Sequence, residues 1–175
     1  MEESFFDKDI KSIWIDGSEE PDLVEARFKD INSVNSIYYE FVLDYYRYFL
    51  ERHDYGQGFK LTMIEAHVLT DIVDNPGITI TDLAKKWQRT PSALSQTVKK
   101  LIQGGFVRRK IREDDSKFFL LNPTKKAKEF VLIHKRYDNL DSIKLYKRLL
   151  EQFSKDEIKT FFRVMKAYNK LIRNI

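Results

Sequence analysis

Apolar residues recur along this chain at two different periods, and the changes between them mark out its elements. Over residues 32–53, Ile37, Phe41, Tyr45, Tyr48 and Phe49 return at three- and four-residue steps, which predicts one long, aromatic-faced helix. "DYGQG" ends it. A second helix is expected from Thr62, turning Ile64, Val68, Leu69 and Ile72 inward until "DNPG" stops it. "ITITDLAKKWQ" predicts a short helix that buries Leu83, Ala84 and Trp87. The next stretch, "RTPSALSQTVKKLIQGG", has Thr90 to cap a helix and Pro91 for its first turn, where a missing N–H costs nothing. Leu94, Val98, Leu101 and Ile102 fall on one buried stripe of it.

The pattern then shortens. "GGFVRRKIREDDSKFFLLN" reads as two strands around a polar turn at residues 113–116. Asn122 before Pro123 reads as the N-cap and first position of a helix reaching about Leu150, with a bend expected at "YDNLDS". Ser154 and Glu157 form a capping box that starts a last helix, carrying Ile158, Phe161, Phe162, Met165, Tyr168 and Ile172 on one side. No internal repeat occurs. The order predicts a mainly α fold: a winged helix-turn-helix with a two-stranded β wing, flanked by long N- and C-terminal dimerisation helices. The corresponding divisions are an acidic extension (1–31), a dimerisation helix and linker (32–60), the winged helix-turn-helix (61–122) and C-terminal dimerisation helices (123–175).

Composition sharpens this picture at one point, the distribution of charge. The net charge is only +4, but residues 1–25 hold nine acids against two lysines, a balance of −7 that leaves +11 on the rest. A basic body of this kind binds polyanions through phosphate contacts and counterion release. Cysteine is absent, so disulfides and thiolate metal sites are excluded. No window is apolar enough for a membrane helix, and "MEESFFDKDI" lacks the order of a signal peptide, so a cytoplasmic protein without a membrane partner is expected.

Opposite the buried stripe of the fourth helix lie Ser92, Ser95, Gln96, Lys99 and Gln103, after Arg89 in the preceding turn. Hydroxyls and amides donate and accept at base edges, Gln especially to adenine, while Lys reaches guanine or phosphate. The N-terminal end of such a helix enters the major groove, and its N–H groups favour phosphate. Arg112 and Lys117, at the wing, are placed to follow the DNA backbone or minor groove, with Asp114 or Asp115 to orient them. These eight basic and polar residues are the expected DNA contacts.

From about residue 61 to 127 the chain resembles the MarR family of transcriptional regulators. The resemblance rests on Leu61, Thr62, Glu65, Val68 and Leu69, on "ITITDLAKKWQRTPSALSQTVKKLIQGGFVRRK", and on the wing "REDDSKFFLLNPT". It implies a homodimer whose terminal helices interlock, whose reading helix and wing bind a pseudo-palindromic promoter site on double-stranded DNA, and which acts as a repressor. It also implies a small-molecule effector in a cleft between the two regions, with Tyr38, Tyr45, Phe49 and His67 as expected wall residues. The chain departs from the family pattern in having Gln88 where a turn glycine is common, and Lys117 where the wing usually has arginine. Lysine cannot make the same fork of hydrogen bonds. The glycine common soon after the wing is replaced within "PTKKA".

Enzyme chemistry is not expected: there is no nucleotide-binding glycine loop and no activated nucleophile. The rival reading from another class is a winged-helix module that binds proteins without reading DNA sequence. Histidine gives a third alternative. His134 and Asp138 stand at i, i+4, which is metal-ligand spacing but is also that of a surface ion pair, and the pair is the reading adopted, with no metal or cofactor assigned. A zinc-responsive branch of the family is similar in placing ligands on the helices that carry His67 and His134. That branch usually has histidine in place of Asp138 and a carboxylate from the first helix, for which Glu51 is the loose candidate.

Overall fold

The computed structural model describes residue 22 and residues 28–56, 58–111 and 119–173, residues 28–34 by their backbone. Element order is α1 (Phe28–Leu50), β1 (Arg52–Asp54), β2 (Lys60–Thr62), α2 (Met63–Asp74), α3 (Ile80–Trp87), α4 (Pro91–Gln103), β3 (Val107–Ile111), β4 (Phe119–Pro123), α5 (Lys125–Leu150) and α6 (Lys155–Ile172). The mainly α winged helix-turn-helix is as expected. The expected turn at 113–116 and most of the acidic extension fall outside the described residues.

Two compact units divide the chain: residues 1–52 with 62–64, and residues 53–61 with 65–175. In the first, α1 runs earlier than its aromatic spacing implied and stops at Leu50, so His53 lies in a strand rather than in the helix. Phe41, Tyr45, Tyr48 and Phe49 do share one face: the Tyr45 ring lies 5.9 Å from Phe41 and 5.3 Å from Phe49.

The second unit has a continuous core. Val68, Leu69 and Ile72 of α2, Leu83 of α3, Leu94, Val98 and Leu101 of α4, Leu121 of β4 and Phe130 of α5 are all buried. Each helix of the helix-turn-helix is closed by its own sequence. Thr79 caps α3 in a capping box with Asp82, whose carboxyl is held below its usual range by the Thr79 hydroxyl and N–H. Thr90 caps α4, accepting from the Ala93 N–H, with Pro91 following as expected. The double glycine ends α4 for steric reasons. A Cβ on Gly104 would meet the Phe106 ring at 2.9 Å, and Gly105 sits at φ +73°.

β3 and β4 pair antiparallel, with Val107 opposite Pro123 and Ile111 opposite Phe119. Here the Asn122–Pro123 expectation is corrected. Both residues belong to β4, and Thr124 is the N-cap. Tertiary hydrogen bonds outweigh the local signal: the Thr124 N–H donates to Phe106 O (2.9 Å) and its hydroxyl donates to Gly105 O (2.9 Å). Proline suits the strand end because it owes the ladder no N–H. The sheet also gains a third segment that the pattern did not predict, an isolated bridge from Ile78 to Leu121. α5 is a single helix through "YDNLDS". Ser154 and Glu157 form the expected capping box of α6. Among the described residues no helix is long and apolar enough to cross a membrane.

Candidate nucleic-acid interface

The outer face of α4 is built by subtraction. Once Leu94, Val98 and Leu101 are buried, the helix period leaves Ser92, Gln96, Lys99 and Gln103 exposed along one stripe, with Ser95 half-buried at its edge. Arg89 is exposed just before the helix. The structure therefore brings six of the eight expected contact residues together on α4 and its entry turn. Arg112 and Lys117 lie outside the described residues. The helix end itself offers less than expected, because Pro91 has no N–H and Thr90 takes that of Ala93. Side chains, rather than free backbone donors, carry the polar chemistry of this face.

The turn between α3 and α4 bears out the significance of Gln88. It is the one non-glycine residue with positive φ among those described, at 49°, and it ends α3 in the left-handed region. A side chain there is strained, which is why glycine is the usual occupant. Sequence reasoning missed the basic ladder of β3. Arg108 and Lys110 are exposed and alternate with Arg109, whose guanidinium lies 5.5 Å from the Phe119 ring centre. The run "VRRK" carried that signal.

A second constellation sits between α2 and α5. His134 is 1% exposed, so the expected surface ion pair is corrected: one partner is in the core. Asp138 Oδ2 lies 3.3 Å from His134 Nε2 and 3.8 Å from His67 Nε2, and one ligand atom from each of the three lies within 4.8 Å of the others. Neither His134 ring nitrogen has a hydrogen-bond partner, nor does Asp138 Oδ1, and all three atoms are buried. Orphaned buried polar atoms call for an explanation. Burial, then the charge of His67, then that of Lys135, lowers the His134 pKa to about 4. Its imidazole is therefore neutral at pH 7, the form that ligates metal. Burial raises the Asp138 carboxyl, against the pull of His67 and His53. Two imidazoles and a carboxylate fit a borderline divalent cation such as zinc and leave a coordination position open. Glu51, the loose fourth candidate, belongs to the other compact unit.

A capped, outward-facing helix following a helix and a tight turn, with a strand pair after it, defines a winged helix-turn-helix. Residues 61–117 match the model of the MarR family. Among curated proteins, an uncharacterized HTH-type transcriptional regulator, YhjH of Bacillus subtilis (strain 168), is 33% identical over 84 residues, 48% of this chain and 48% of that one. The match thus spans about half the length of the curated relative. Two solved structures share the fold at low identity. FabT of Streptococcus pneumoniae, in complex with DNA, has a TM-score of 0.60 at 20% identity, covering 84% of this chain and 98% of that one. Lactococcus lactis ZitR, described as a zinc-responsive MarR family member, has a TM-score of 0.61 at 17% identity, covering 81% and 99%.

Proposed function

We propose that this protein is a sequence-specific transcriptional regulator that binds double-stranded DNA as a homodimer, reading bases with α4 and phosphates with the wing. The observation that carries this reading is the exposed stripe Ser92, Gln96, Lys99 and Gln103 on a capped helix of a MarR-family winged domain. Arg89 and half-buried Ser95 flank it, and Arg112 and Lys117 supply wing contacts. Repression is the mode the family resemblance favours, and 61–122 is the DNA-binding part. Dimerisation is supported by α6, which has no buried residue and exposes Phe161, Phe162, Val164, Tyr168 and Ile172.

Selection of binding sites from random duplexes at physiological salt tests the proposal. A two-fold symmetric consensus is expected, with half-sites about one DNA turn apart. Binding without base preference that disappears at moderate salt would replace it with the protein-interaction module.

A second reading concerns control. The buried, unsatisfied His134 favours a divalent cation at His67, His134 and Asp138 over the aromatic effector that the first helix suggests. The FabT-like and ZitR-like fold neighbours include a protein described as zinc-responsive, which supports this choice by analogy. The cation would supply charge and cross-link α2 to α5, and it regulates only if the DNA-competent arrangement binds it with different affinity. Zinc should raise the melting temperature, a chelator should reverse the rise, and His134→Ala should abolish it. An unchanged zinc response in that variant would remove the site.

A further inference from the structure

One polar group on α2 is tied to the end of α3, the helix that precedes α4, without being part of either site. Asp71 follows His67 by one turn, and its side chain is 16% exposed. Its Oδ1 accepts from Lys86 Nζ at 2.5 Å and its Oδ2 accepts from Trp87 Nε1 at 2.8 Å. The two donors are consecutive and end α3. Side chains on consecutive residues diverge by about 100° around a helix axis, so one carboxylate holding both resists rotation of α3 as well as its separation from α2. The next residue is Gln88, whose N–H donates to Lys85 O (3.2 Å), and only Arg89 and Thr90 then precede α4. The tie therefore acts at the root of the turn that aims the reading helix. It is not needed to hold α3 in the core, because Leu83 and Ala84 are already buried there.

We propose that Asp71 is a positioning residue for base reading: by gripping Lys86 and Trp87 it sets the angle at which α4 presents its polar stripe. The inference rests on the DNA-reading function proposed for α4. It separates two quantities that a structural tie alone would move together. Base contacts need α4 placed to within a fraction of an ångström, whereas phosphate attraction depends mainly on charge. Because His67 lies one turn earlier on the same helix, the residue that would bind a cation and the residue that aims α4 share one rigid element.

The experiment uses the full chain and a duplex selected on the parent protein, with a scrambled duplex of equal length as the control. Asp71→Ala should weaken binding to the selected site tenfold or more, leaving the scrambled duplex within twofold. Trp87→Phe should reproduce most of that loss, and the double variant should be little worse than either single one. Asp71→Asn, which keeps an acceptor for the indole N–H, should recover much of the discrimination and serves if the alanine variant folds poorly. A ratio of selected to scrambled affinity equal to the parent's would overturn the inference, as would equal losses on both duplexes. A parent that prefers no sequence would instead sink the DNA-reading function itself, and with it the role of Asp71.

Discussion

At the scale of single residues, the polar stripe of α4 and the buried histidine make different kinds of demand on solvent. Gln96 is exposed, so in the proposed role its value appears only when a base edge replaces water. Gln96→Ala should cost about 1–3 kcal/mol at the preferred site and relax selection at one base position. Unchanged selection at every position would remove Gln96 from the reading role. Lys117→Ala, by contrast, should weaken all sequences alike and reduce the salt dependence, since a lysine on phosphate releases counterions and reads no bases. His134 has the opposite problem. Its pKa is lowered from 6.5 to about 4, so the folded protein refuses a proton that the unfolded chain accepts. The group is without effect on stability above about pH 6.5. It destabilises the fold progressively as pH falls from there towards 4, and no further below. Denaturant midpoints measured from pH 7 to 4 should fall less steeply in His134→Gln than in the parent.

At the scale of elements, α4 and α6 start on caps that the sequence alone identifies, and the turn between α3 and α4 is not at its most stable. Gln88 occupies a left-handed position where glycine is free of strain. Gln88→Gly should therefore raise stability by on the order of 0.5–1 kcal/mol, even though glycine adds entropy to the unfolded chain. A fall in the thermal midpoint would mean that the Gln88 side chain makes a contact worth more than the strain. Ser154→Ala removes one half of the α6 capping box and should cost about 1 kcal/mol. Thr124 is a cap of a different kind, because its hydroxyl also donates to Gly105 O and so ties α5 to the end of α4.

At the scale of the whole molecule, the exposed apolar faces are what the proposed homodimer would cover. α6 shows Phe161, Phe162, Val164, Tyr168 and Ile172 to solvent, and α1 shows Ile37, Tyr38, Phe41 and Tyr45. Helices with such faces are stable in water only when another surface covers them. A melting temperature that rises with protein concentration is expected of the proposed homodimer. Removal of residues 154–175 should give a monomer or an aggregate; a soluble, fully active monomer would contradict dimerisation through α6.

Much of this protein is determined locally, and the sequence shows it. The buried stripe of α4 and its Thr90–Pro91 start follow from helix period and capping, as do the α6 capping box and the strand pair after the double glycine. The exposed polar stripe follows too, because burying Leu94, Val98 and Leu101 leaves the other face no choice. What the sequence could not decide are features where distant groups compete with local ones. Asn122 and Pro123 carry a good local signal for a helix start, yet Phe106 O and Gly105 O claim Thr124 from 18 and 19 residues away and move the cap. His134 and Asp138 read as a solvated pair because helical spacing says nothing of depth. Only the packing of Tyr55, Phe130 and His67 around the ring, each with its centre within 6 Å of that of His134, turns the pair into a buried, proton-refusing site. Asp71 likewise has no signature of its own, since its partners are 15 and 16 residues downstream on another helix. Periodicity and caps act over one or two turns, so they are written in the chain; burial, tertiary hydrogen bonds and the pKa shifts they cause depend on which elements meet, and only the fold brings them together.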